Sequence, residues 1–252
     1  MLSAIVLAGA PATGFDESLK SRAMVKVGGV TMLDRVLSAL TSKCDQILVV
    51  GDVETDLQAQ ILTPAKTLME NIDIALKKVT GDYVLLATSD IPLINKECVS
   101  DFIEKGISLD CGFVYPICKK EKCLEKYPNL KRTYVTIKEG SFTGGNLMLM
   151  KKDFLLSIMP IMQDLYLARK KPVKLAKMIG FGVIWKLLLC KIFPNALDID
   201  YLENKVSNIF GQRVKAYIVD DPAICEDLDS PEELKAFEDI LGEKKWVSYK
   251  NI

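Results

Sequence analysis

SAIVLAGAPATGFDESLKSRAMVKVGGVTML, residues 3 to 33, decides how the rest of the chain is read. Ser3 to Leu7 is a continuous apolar run that stops on the small residues Ala8-Gly9-Ala10. Such a run, without polar alternation, suits an interior strand of a parallel sheet, whose two faces are both covered. The turn at the carboxyl end of that strand is where open α/β sheets bind ligands, and small residues there let backbone N–H groups approach phosphate oxygens. Leu7, Ala8, Gly9 and Ala10 are therefore candidate nucleotide-binding positions. The stretch is not a P-loop, since no Gly-Lys-Ser/Thr follows, and Gly9 to Gly14 lacks the glycine spacing of a dinucleotide turn. Taken alone, the stretch reads better as an ordinary strand-to-helix turn.

Outward from this stretch, strands and helices alternate. Thr31 precedes Met32, Leu33, Val36, Leu37 and Leu40 at helical spacing, and Gln46 to Val50 is a second buried strand closed by Gly51-Asp52. Pro64 to Val79 holds a helix with the face Leu68, Ile72, Ala75, Leu76 and Val79, and Tyr83 to Ala87 is a third strand. This alternation predicts a largely parallel sheet. Thr88-Ser89-Asp90-Ile91-Pro92 then sets a carboxylate just past a strand end, aimed at the crevice of the Gly9 turn, with Pro92 holding Ile91 extended. Magnesium takes one or two protein carboxylates and completes its shell with phosphate and water, so Asp90 is a candidate Mg²⁺ ligand; a turn or cap aspartate is the competing reading.

Asn95 is expected to cap a helix ending near Gly106, and Asp110 to Tyr115 to form a fourth strand. Pro116 to Lys131 reads as a charged loop carrying Lys119, Lys120, Lys122, Lys126 and Lys131, with Arg132 next; it is either solvated or a lid over an anionic substrate. A strand at Thr133 to Ile137, a turn at Glu139-Gly140 and a loop through Gly144-Gly145-Asn146 into another strand follow. The glycines permit close backbone approach and Asn146 can both donate and accept, so these three serve either structure or a ligand.

From Lys151 the pattern is helical, with a break expected at Met159-Pro160. Val173 to Phe193 presents a wide apolar surface including Phe181 and Trp185, with Lys170, Lys174, Lys177 and Lys191 on one narrow side. Its internal lysines argue against a membrane span and leave packing on the domain, a homodimer contact, or a place in a membrane interface. Asn195 to Ile209 reads as a helix and Val214 to Val219 as a late strand. In Cys225-Glu226-Asp227-Leu228-Asp229-Ser230-Pro231-Glu232-Glu233, Ser230 and Glu233 form a capping box for the last helix. Asp227 or Asp229, one of them turned into the crevice, is the expected second metal ligand opposite Asp90.

The chain is expected to be a single domain over 1–252 with a helical insertion near 151–209. Its formal net charge of zero gives no global pull toward nucleic acid. It has no histidine, which removes imidazole acid/base catalysis and histidine metal sites. Seven cysteines without a Cys-x-x-Cys pair suggest a cytoplasmic, reducing setting, peripheral to the membrane if the apolar helix meets lipid. Cys118 and Cys123 are a minor candidate for a redox or metal role.

Set in order, Ile5-Val6-Leu7-Ala8-Gly9-Ala10, Val27-Gly28-Gly29-Val30-Thr31-Met32-Leu33, Thr88-Ser89-Asp90-Ile91-Pro92, Thr143-Gly144-Gly145-Asn146 and Asp227-Leu228-Asp229-Ser230-Pro231-Glu232-Glu233-Leu234 resemble the MobA-like NTP transferases of the nucleotidyltransferase superfamily. The resemblance implies a Rossmann-like α/β/α fold of three layers with a mostly parallel, mixed sheet. It also implies Mg²⁺-dependent transfer of a nucleotidyl group from an NTP to a phosphorylated acceptor, releasing pyrophosphate. By this reading Leu7 to Ala10, Arg22 and Ser89 hold the nucleotide, and Arg22 and Asp90 are catalytic. Asp90, Asp227 and Asp229 serve the metal, and Gly144, Gly145 and Asn146 the acceptor. The chain departs from the family pattern where Ala10 replaces a glycine, Arg22 stands at the expected lysine, and no arginine lies near Gly14-Phe15, leaving Lys20 as the nearby substitute. A glycosyltransferase using a nucleotide sugar, or a non-catalytic nucleotide-binding or membrane-associated protein, are the alternatives.

Overall fold

The computed structural model describes residues 1–16, 18–168 and 196–243, with the single positions 171, 178 and 193. The apolar segment Val173 to Phe193, with its expected membrane or dimer contact, therefore lies almost wholly outside the described residues.

Leu2–Leu7 forms β1, and its side chains are shared between two cores because successive strand residues face opposite ways. Ala4 and Val6 join one apolar cluster and Ile5 the other. β1 pairs in parallel with β4 (Gln46–Val50) on one side and with β6 (Tyr83–Thr88) on the other. It is thus an interior strand, as its unbroken apolar run predicted. β4 pairs in parallel with β5, the short segment Gln60–Leu62, which carries too little pattern to be read from sequence.

Beyond β6 the sheet becomes mixed. β10 (Leu147–Lys151) runs antiparallel to both β6 and β7 (Phe113–Lys119), and β11 (Val214–Val219) lies parallel to β7. β9 (Gly140–Gly144) is antiparallel to β7 and to β8 (Val135–Ile137). Between Lys26–Val27 (β2) and Val30–Thr31 (β3), Gly28 and Gly29 have φ of 59° and 81°. Two successive positive φ values make this tight hairpin turn favour glycine.

Helices cover both faces, giving three layers. α1 (Met32–Leu40), α3 (Lys96–Ser108) and α7 (Pro231–Glu243) bury Leu33, Phe102 and Phe237 in the first cluster. α2 (Leu68–Leu76) and α5 (Lys152–Ala168) bury Ile72 and Phe154 in the second, against which α6 (Ile199–Phe210) packs Val206. Thr31, Thr67 and Asn95 cap their helices with side-chain oxygens.

Several expectations are corrected. Pro116 does not end β7: it sits where Tyr115 and Pro116 face four residues, Gly145 to Met148, of the neighbouring chain segment. A proline is tolerated at such a bulge because its missing N–H is not needed there. The expected charged loop is the end of β7 and a helix, α4 (Lys120–Lys126), which buries Cys123. α5 continues through Pro160, an exposed position where water can satisfy the freed carbonyl. On α2, Leu68 is exposed and Met69 takes its place in the core.

Candidate active site

The first loop is folded back on itself by the residues that follow it. The Ser21 hydroxyl donates to the Ala8 carbonyl at 2.5 Å, and the Arg22 N–H to the Ala10 carbonyl at 2.8 Å. Ser21 also caps the short helical turn Arg22–Met24. The Ala8 and Ala10 carbonyls are thereby engaged, while among the described residues nothing accepts from the N–H groups of Gly9 and Ala10. Gly9 is exposed, Ala8 is buried against Gly51, and Leu7 is half-buried.

This backbone arrangement delivers Arg22 to the carboxyl edge of the sheet. Its guanidinium bonds Asp90 at 2.5 Å and Asp229 at 2.9 Å. The side chains of Arg22 and Asp90 are 17% and 14% exposed, so this pair is shielded from bulk water and weakly screened. The Leu228 N–H donates to the Asp90 carbonyl at 2.8 Å, joining the 227–229 segment to the end of β6. Expecting one of Asp227 and Asp229 to turn away was wrong. Residues two apart on an extended chain share a face. Both aspartates meet arginines at the crevice, while Leu228 and Glu226 turn into the core.

A second couple was not read from the sequence. Arg132, on the connection between α4 and β8, bonds Asp227 and lies 3.9 Å from Glu226. Its side chain is 15% exposed, and burial opposes its charge, yet Asp227 and Glu226 outweigh that and raise its pKa. Glu226 is 1% exposed; burial pushes its carboxyl up to about 7 despite Arg132. Asp229 is raised by burial and by the neighbouring Asp227 charge, against the pull of Arg22. Lys20, the nearby substitute for the missing arginine, instead pairs with exposed Asp52 at 3.2 Å. No local motif marks Arg132, because nothing in its neighbourhood in the chain fixes where it ends up.

Gly144-Gly145-Asn146 forms the bulge beside β7. The Gly145 N–H donates to the Pro116 carbonyl, the Asn146 N–H to the Ile224 carbonyl, and the Asn146 carbonyl accepts from Thr88. A Cβ on Gly144 would lie 2.2 Å from the Tyr115 hydroxyl, and one on Gly145 2.8 Å from Pro116. Both glycines thus have a packing reason to be glycine. The bulge re-aims Asn146, whose Nδ2 reaches to 3.5 Å from Asp227. Ser89, by contrast, is 4% exposed and buried at the end of β6. Cys118 and Cys123 are buried free thiols.

Asp90, Asp227 and Asp229 against Arg22 and Arg132 leave these five charges one negative in excess, and Asp90 Oδ1 is buried without a hydrogen-bond partner. Among the described residues no three Cys, Asp or Glu side chains converge to hold an ion. The unpartnered Asp90 Oδ1 leaves one carboxylate oxygen open, as an ion held by one or two protein carboxylates, such as magnesium, would need.

The chain was compared with known proteins. No curated protein matched it. A hypothetical transferase from Thermus thermophilus is 34% identical with a TM-score of 0.83, over 92% of this chain and 98% of that one. Two more distant structures share the fold. The 2-C-methyl-D-erythritol 4-phosphate cytidylyltransferase of the same organism, Thermus thermophilus, has 14% identity, a TM-score of 0.55, and coverage of 94% and 98%. CMP:2-keto-3-deoxy-manno-octonic acid synthetase, solved with CTP, has 9% identity, a TM-score of 0.61, and coverage of 96% and 98%. The family model described as a MobA-like NTP transferase domain matches residues 4–177, and with that match the chain belongs to the MobA-like NTP transferase family of nucleotidyltransferases.

Proposed function

We propose that the protein moves an NMP group from an NTP to a phosphorylated acceptor, with Mg²⁺ and with release of pyrophosphate. The observation that carries this reading is the pair of guanidinium–carboxylate couples, Arg22 with Asp90 and Asp229, and Arg132 with Asp227, joined where the 227–229 segment bonds the end of β6. The N–H groups of Gly9 and Ala10 would receive phosphate oxygens, and Arg22 would exchange a carboxylate for the triphosphate. Asp90, with Asp227 or Asp229, would hold Mg²⁺, which supplies charge neutralisation at the reacting phosphates.

The acceptor phosphate is the nucleophile. One of its oxygens bonds to the α-phosphorus as the α–β bridging bond breaks, and pyrophosphate leaves with the electron pair. A phosphate monoester is already ionised near neutrality, so no general base is required and a chain without histidine suffices. Arg132 and Asn146 would position that phosphate.

The test is pyrophosphate release with each NTP and Mg²⁺ across a panel of phosphorylated acceptors. Turnover that EDTA abolishes and Asp90→Ala strongly reduces is expected. A wild-type rate in Asp90→Ala would overturn the assignment.

A further inference from the structure

A cavity of about 610 Å³ lies between the sheet and α6. Phe113, Tyr115, Phe142, Met148, Val206 and Val214 are among its walls. Its charged lining residues, Glu203 and Lys215, pair with each other, and Glu203 also accepts from the Ala216 N–H at 2.8 Å. The volume lies in the range of small-molecule sites, and the lining offers an apolar ligand a surface without an unsatisfied charge.

One wall belongs to the candidate site. Gly144 lines the cavity and is followed by Gly145 and Asn146. The Tyr115 side chain lies against Gly144 so closely that a Cβ there would meet its hydroxyl. Behind that glycine the Gly145 N–H donates to the Pro116 carbonyl, and Asn146 Nδ2 reaches to 3.5 Å from Asp227. The cavity is therefore joined to the candidate site through the Gly144-Gly145-Asn146 bulge.

We propose that the acceptor is an amphiphile, a phosphate monoester whose alkyl or isoprenoid chain occupies this cavity while its phosphate lies between Arg132 and Asn146. This rests on the nucleotidyltransferase reading and names its acceptor class. The reaction is unchanged: a phosphate oxygen bonds to the α-phosphorus, pyrophosphate departs, and the apolar alcohol ends on a nucleoside diphosphate. Apolar burial within the cavity supplies affinity, and the arginine supplies the anchor.

Calorimetric titration of the whole protein with monomeric alkyl phosphates of increasing chain length, without NTP, tests the cavity directly. Affinity is expected to rise about fourfold per added methylene until the cavity is full. Val206→Trp should flatten that series and leave NTP binding unchanged. Affinity independent of chain length, binding to phospholipid vesicles alone, or loss of binding through dimerisation would each overturn the proposal. So would a wild-type chain that binds none of the series, the cavity then being closed by protein. The wild-type series decides the matter even if Val206→Trp fails to fold. Pyrophosphate release is scored separately: no turnover with any acceptor would overturn the proposed function, and turnover with polar sugar phosphates but without chain-length dependence would overturn only the amphiphile.

Discussion

Arg22 and Arg132 differ in what holds them. Arg22 is set by the backbone of its own loop, through the bond from its N–H to Ala10, while Arg132 is held by side chains of the 226–227 segment. The two should therefore separate kinetically. Arg22→Ala is expected to reduce kcat/KM by about 10²–10³ for every acceptor, as loss of one preorganised donor at a charge-developing site does. Arg132→Ala should raise the acceptor KM by a larger factor than the NTP KM. Steady-state kinetics with each substrate varied in turn would check both, and equal effects on the two KM values would contradict the division. Glu226 stands behind Arg132 with both carboxylate oxygens buried and lacking good hydrogen bonds, so burial keeps its proton on to about pH 7.

At the scale of the element, the segment before the last helix is tied to two others, and capped in itself, by one carboxylate. Asp221 accepts from Lys126 on α4 at 2.6 Å, from the Asn95 amide at the start of α3 at 3.1 Å, and from the Ala223 N–H at 2.9 Å. Burial opposes its ionisation, but these donors outweigh it and hold its pKa below the ordinary 3.8. Asp221→Ala should cost about 1–3 kcal/mol at neutral pH. A depressed carboxyl stabilises the fold above its unfolded pKa and loses that contribution as pH falls through its folded pKa. Urea titrations should show the gap between wild type and Asp221→Ala narrowing as pH drops below 3.8. A gap that widens toward acid would show that the contacts are not those of an ionised Asp221. The lysines read as a lid are partly used this way: Lys126 binds Asp221, and Lys120 lies over the Tyr134 ring at 5.6 Å.

For the whole molecule, the last helix closes on the first loop. The Pro231 ring lies 3.5 Å from where a Cβ on Gly14 would be, and Leu241 lies 3.6 Å from that position on Gly28. Phe237 of α7 is buried in the same cluster as Val6, Ala8 and Leu33. Phe237→Ala should cost about 3–5 kcal/mol of stability, as large-to-small aromatic changes in cores do, and should weaken NTP binding because Asp227 and Asp229 immediately precede α7. Chemical denaturation paired with NTP titration below the unfolding transition measures both; full stability would contradict the packing role of this helix. The sequence by itself determined the interior strand at Ser3 to Leu7, the α/β order, the helix caps at Thr31 and Asn95, and the aspartates at strand ends. Those features are local: period, capping chemistry and chain direction are written in neighbouring residues. Tertiary structure decided the partner of each charge. Asp90 meets Arg22 across 68 residues and Asp227 meets Arg132 across 95, and Pro116 continues a strand because a bulge beside it removes the need for its N–H. Local periodicity carries no term for such encounters; only the closed sheet brings these groups together.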